Sequence, residues 1–213
     1  MINKDFPMMP IYPDEMTLAD QDPDPDSPAT DDPAYCRWVT ADHHHFDNNI
    51  SDARWAEFMS ISQTNCIMLT DLVARYLPAL FIRPVEISVF WTDDQTIADL
   101  NRQFRGKSGT TNILSFPSGQ QSASDEERLY LGDLVLGFET VMSEAKEAGI
   151  VEQDHIAHLI LHGLLHLAGF DHIDDYEASK MESLEIHFLA KIGIADPYNN
   201  GLRAPAGVRD ITS

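Results

Sequence analysis

The sequence predicts an α+β fold: a small mixed sheet of four strands packed with about five helices in a single domain. Two observations carry this. Short stretches of strand character alternate with helical stretches through the first two thirds of the chain, and helices then follow one another to the end. The length of 213 residues and the hydrophobic fraction of 43% suit one domain with a real core and tails.

Residues 1–36 are expected to form an acidic arm. "MTLADQDPDPDSPATDDP" is rich in Asp and Pro and too poor in large apolar residues to offset its ordering entropy. The folded domain is expected over 37–195 and a loose tail over 196–213. A first strand is placed from Trp38, in "RWVTADHHHF". A long helix follows in "ARWAEFMSISQTNCIMLTDLVARYL", with Pro78 and Pro84 just past its end. "VEISVFW", 85–91, alternates as a strand does. "DDQTIADLNRQF" opens on an Asp cap and continues as a short helix. "TNILSF", 111–116, is a strand stopped by Pro117, and "SGQQSASDEER" is a polar loop. "LGDLVLGF" is the fourth strand. Three helices complete the chain, ending at Gly149, Gly169 and Gly193.

The net charge of −21 and pI near 4.5 argue against a general nucleic-acid coat or a membrane-surface protein. No apolar run is long enough for a membrane helix, and the N-terminus lacks the pattern of a signal peptide. Cys36 and Cys66 form neither a disulfide framework nor a CxxC metal pair. A soluble, cytoplasmic protein is expected.

The chemistry concentrates in "HGLLHLAGFDH", 162–172. Four residues on an α-helix turn about 40° past one revolution and rise about 6 Å, so His162 and His166 project from one face. One ion can meet both imidazoles. A third ligand at good geometry requires the helix to end and the chain to return. Gly169 stands where a left-handed cap belongs, and His172 follows it. Zinc, one per chain, is the favoured ion, although nickel, copper and cobalt accept the same donors. The spacing is that of metzincin peptidases, but the position of their general-base glutamate holds Gly163. Three neutral ligands leave the ion its full charge and an open position, which favours hydrolysis of something other than a peptide. A metalloprotease, and a zinc-stapled factor without catalysis, are the rival readings.

His158 lies on the same stripe but too far from His166 to share an ion, and is assigned a supporting or core role. His155 and His187 are read as ordinary. "HHH", 43–45, is at most a weak adventitious metal site. Asp171 is either a hydrogen-bond acceptor for a ligand imidazole or a turn residue. Arg102, Arg105 and Lys107 form the densest basic cluster in an acidic chain, and arginine offers paired donors that match phosphate oxygens. Asp133, in "LGD", is left without a catalytic role.

With these residues the chain resembles the YbeY family of bacterial endoribonucleases. "LNRQFRGKSGTTNILSFP", 100–117, is similar to the family's "LN…YRGKD.PTNVLSFP", and "LGDLVLGFETVMSEAKEAG", 131–149, to its "LGDI" strand and following helix. Phe104 stands where the family usually has tyrosine, and "KSGTTN" where it has "KDKPTN". The resemblance implies a zinc-dependent ribonuclease specific for single strands. It would act in maturation of the 3′ end of small-subunit (16S) ribosomal RNA and in ribosome quality control. Carried over residue by residue, it implies His162, His166 and His172 as metal ligands and Arg105 as the functional arginine. Beside this, the basic cluster is expected to bind phosphate, with Lys107 as a substrate-binding residue. It also implies partners: the small ribosomal subunit, a small-subunit ribosomal protein and a ribosome-associated GTPase.

Overall fold

The structure, a computed structural model, describes residues 35–79, 81–118, 128–172 and 174–199. The acidic arm up to residue 34, most of the polar loop (119–127) and the chain from residue 200 lie outside the described residues.

The sheet has five strands, one more than expected. β1 (Tyr35–Val39) and β2 (His45–Ile50) form an antiparallel hairpin where the sequence reads as one strand from Trp38. Its turn contains neither glycine nor proline. His43 supplies the left-handed residue instead, at φ 61°, and bonds from His43 N to Thr40 O and Thr40 N to His44 O close it. Tyr35 and Cys36, at the end of the expected arm, pair in this hairpin.

A 3-10 turn at Ala53–Glu57 leads into α1 (Met59–Tyr76), which crosses over to β3 (Val85–Thr92), parallel to β2. α2 (Asp94–Arg105) begins at Asp93, whose side chain accepts from Thr96 N at 2.8 Å, and ends at Gly106. β4 (Ile113–Pro117) and β5 (Leu129–Gly137) are antiparallel, and β5 is parallel to β3. The strand order is β1-β2-β3-β5-β4, so β4 is an edge. α3 (Phe138–Ala148), α4 (Glu152–Leu167) and α5 (Asp175–Lys191) follow.

The main core lies between one sheet face and α1, α3, α4 and α5, with α4 in the middle. Nearly every side chain of α4 is buried, from His155 to Leu167. Trp55 and Trp91 are fully buried at 0% exposure, and their indole N–H groups are satisfied by Thr92 O and Asn48 Oδ1, both at 3.0 Å. α2 covers the other sheet face through Ile97, Leu114 and Val135. This places α2 and α4 on opposite sides of the β4 edge. No helix among the described residues is long and apolar enough to cross a membrane.

Candidate metal centre

α4 can lie close on β4 and β5 because residue 163 has no side chain. A Cβ there would come within 2.6 Å of Leu134 Cδ2 and 3.0 Å of Ile113 Cδ1. Position 163 therefore faces the sheet, and a zincin-type glutamate at that place would be driven into packed leucine and isoleucine. His162, the preceding residue, is 1% exposed, while His166 and His172 are half-buried at the mouth of the site.

The helix ends as the glycine predicts. Gly169 has φ 88°, its N–H reaches His166 O, and Phe170 N reaches Leu165 O, both at 2.9 Å. This pair of bonds is the Schellman arrangement, which satisfies the last carbonyls and reverses the chain. Asp171 Oδ1 then accepts from His172 N at 2.8 Å, which holds the backbone at the third histidine. The reversal brings the His172 ring within 5.7 Å of His162 and 5.1 Å of His166, centroid to centroid; the two helical rings are 4.6 Å apart.

Hydrogen bonds decide which nitrogens are offered. His162 Nδ1 is 2.8 Å from Glu185 Oε1, and His166 Nδ1 is 3.0 Å from Phe170 O. Both partners are acceptors, so both Nδ1 atoms carry the proton and both Nε2 atoms carry a bare lone pair. Those two Nε2 atoms lie 3.1 Å apart. His172 Nε2 is buried without a partner. One nitrogen from each ring falls in a group whose members are all within 4.8 Å of one another. Two lone pairs facing each other and a third buried orphan beside them fit a shared cation, and the donor set suits a metal ion. Burial, with His162 and His172 adding to it, lowers the His166 pKa to about 4, so the ring is neutral and ready to ligate at neutral pH.

Glu185, on α5, escapes the sequence reading. It is 0% exposed, and its carboxylate takes His162 Nδ1 on Oε1 and His158 Nε2 on Oε2, at 2.8 and 2.9 Å. Burial alone would raise its pKa, but these two hydrogen bonds hold the carboxyl well below the usual carboxylate range. His158 therefore supports the centre through Glu185 and does not ligate. His155 is held by Glu144 Oε2 at 2.9 Å, and the His187 ring stands edge-on to Tyr76.

The basic cluster divides. Arg102 is exposed and paired with Asp99. Arg105, in the last turn of α2, is half-buried and reaches across the β4 edge, with Nη2 3.0 Å from Ser115 O. Burial lowers its pKa and the Asp171 carboxylate opposes that shift. Lys107 follows the Gly106 cap and is half-buried. Asp133 lies on the other face of the sheet from Leu134, away from the histidines, and accepts from Tyr130 OH at 2.6 Å.

Asp42, His44 and Asp71 form a second close group. His44 Nδ1 accepts from Val85 N at 3.0 Å, which puts the ring proton on Nε2 and leaves no lone pair for an ion. His44 in this tautomer is therefore not an imidazole ligand.

The family model described as "Endoribonuclease YbeY" matches residues 55–193, more than half of the chain. Relatives from several organisms bear the same name. The one from Paramagnetospirillum magneticum is 43% identical over 153 residues, covering 68% of this chain and 89% of the relative. The one from Bartonella quintana is 41% identical over 158 residues, covering 71% and 95%. The one from Methylocella silvestris is 51% identical over 117 residues, covering 55% and 65%. The matched span contains the three converging histidines, Arg105 and Glu185, and on its extent and that of the relatives the chain belongs to the YbeY family.

Proposed function

We propose that this chain is a metal-dependent endoribonuclease, that its ion is zinc, and that it cleaves single-stranded RNA. The observation that carries the reading is the pair of bare Nε2 atoms on His162 and His166, facing each other in a group with His172 whose donor atoms all lie within 4.8 Å of one another. The names of the relatives supply the substrate class. When bound, the ion supplies Lewis acidity towards a phosphoryl oxygen or lowers the pKa of a bound water.

The chain's own residues do the rest. His162, His166 and His172 hold the ion and, being neutral, leave its charge undiminished. Among the described residues no fourth protein ligand joins this group, which leaves a position for substrate. Arg105 supports a phosphate on the β4 side of the cleft. Its Nη2 is spent on Ser115 O, which fixes the plane of the guanidinium, and the remaining N–H donors suit paired phosphate oxygens. As charge develops on those oxygens, Arg105 neutralises it. Lys107, two residues on, adds a second cation for the RNA backbone. The substrate is the 3′ end of small-subunit (16S) ribosomal RNA, and the partners are the small subunit, one of its proteins and a ribosome-associated GTPase, in the cytoplasm; family resemblance supports this assignment.

A direct test incubates zinc-loaded protein with a single-stranded RNA, its duplex form and casein, beside a His162→Ala control. Cleavage of the single strand alone, lost in the control, is the expected result. Casein cleavage, or RNA cleavage undiminished in the control, would overturn the reading.

A further inference from the structure

We propose that the segment after α5 is part of the metal centre: Tyr198, by donating to Glu185, fixes the carboxylate that orients His162. The proposal rests on the metal reading above and concerns a positioning residue.

The hydroxyl of Tyr198 donates to Glu185 Oε2 in a short contact. The same oxygen accepts from His158 Nε2 at 2.9 Å, and the other, Oε1, accepts from His162 Nδ1 at 2.8 Å. The carboxylate is thus held by three donors and no competing acceptor. With two donors on Oε2, rotation of the carboxylate would break both of those bonds as well as the one to His162. Oε1 is therefore kept on the line of His162 Nδ1, which keeps the His162 lone pair at Nε2, facing His166 and His172.

The position of Tyr198 is itself built. Its ring stands edge-on to His158, with centroids 5.6 Å apart at 82°. Asp196 Oδ1 accepts from Tyr198 N at 2.8 Å, a turn that closes round Pro197, whose ring fixes φ. Tyr198 lies past residue 193, where the family match ends, so this link is drawn from the chain's own geometry. Hydrogen-bonding partners behind a ligating histidine set its tautomer and basicity, and losing one typically weakens metal binding by about ten- to a hundredfold.

Tyr198→Phe keeps the ring against His158 and removes only the donor. Three readouts on full-length protein test the idea: zinc affinity by competition with a chelator, ring ¹⁵N shifts of His162 in the metal-free protein, and a cycle with Glu185→Gln. The expected result is an affinity about tenfold or more weaker in Tyr198→Phe, a His162 ring no longer confined to the Nδ1–H tautomer, and a double variant no weaker than Glu185→Gln alone. Unchanged affinity with an unchanged tautomer overturns the proposal. So do fully additive losses, which would mean that Tyr198 acts without Glu185. If wild-type protein and a His162→Ala, His166→Ala control bind zinc equally poorly, the metal reading itself has failed and the proposal falls with it.

Discussion

The Nε2 atoms of His162 and His166 lie 3.1 Å apart, on rings whose other nitrogens already donate to Glu185 and to the Phe170 carbonyl. Two lone pairs at that separation repel unless a cation lies between them. Purified protein should therefore carry close to one zinc per chain. A His162→Ala, His166→Ala variant should lose it, as elemental analysis will show. Undiminished zinc in the double variant would place the ion elsewhere.

Stability should follow the ion. His172 ties the turn after Gly169 back to α4, so an ion held by all three rings favours the folded state. An ion present at about a hundred times its dissociation constant contributes about 2.7 kcal/mol. For a domain of this size each kcal/mol shifts the melting temperature by roughly 2–4 °C. Chelation should thus lower Tm by about 5–10 °C. Calorimetry with and without chelator checks this, and an unchanged Tm after confirmed metal loss would contradict it.

The ligand triad is legible in the sequence because its geometry is local. Two histidines one helical turn apart and a glycine where the helix must stop define it without reference to the rest of the fold. Glu185 is not legible, because no spacing rule connects α4 to α5. In "SKMESLEIHF" it reads as one more polar residue on an amphipathic helix. Only packing shows that it is fully buried between His158 and His162. Tyr198 is hidden for the same reason, behind a Pro and Asn composition that reads as tail. The missed hairpin has a different cause. Its turn carries none of the usual punctuation, since a histidine takes the left-handed conformation that glycine would normally supply.

Gly163 sets helix propensity against packing. Replacing a helical glycine by alanine ordinarily gains up to about 1 kcal/mol from propensity. Here the new methyl would lie 2.6 Å from Leu134 Cδ2, on a fully buried side chain, and overpacking of that kind costs about 1–3 kcal/mol. Gly163→Ala should therefore lower the urea midpoint. Gly163→Glu should lower it further and confer no casein cleavage. A stabilised Gly163→Ala would mean that α4 can lift from the sheet.

Asp71 links stability to pH away from the metal centre. It is 4% exposed, and its Oδ1 has no partner. Burial raises its pKa, Asp42 adds to the rise, and Thr40 and Arg75 oppose it. The folded state thus holds this proton more firmly than the unfolded chain does. The group's contribution is most favourable below its ordinary value of 3.8 and is lost as pH rises through the raised folded value. Asp71→Asn removes the buried charge. It should raise Tm at about pH 7, and the gap to wild type should close as the pH falls towards about 4. A gap of equal size at both ends would show that the effect is not ionisation.

Arg105, in the last turn of α2, is anchored to Ser115 O, which makes a specific substitution informative. Lysine keeps the charge but has neither the planar fork nor the reach to bond Ser115 O and a phosphate together. If Arg105 stabilises charge that develops during cleavage, Arg105→Lys should weaken binding of single-stranded RNA only modestly. Its cleavage rate should fall by roughly ten- to a thousandfold, as when one oxyanion donor is removed. Arg105→Glu should abolish cleavage. Both variants should keep their zinc, because the three ligands and Glu185 lie on α4, α5 and the turn between them, and none of their hydrogen bonds involves α2. Rates measured on one RNA at equal zinc content separate the outcomes. Loss of zinc in Arg105→Lys would make the residue structural. Wild-type rates in both variants would remove Arg105 from the chemistry and leave the histidine centre to act without a partner across the cleft.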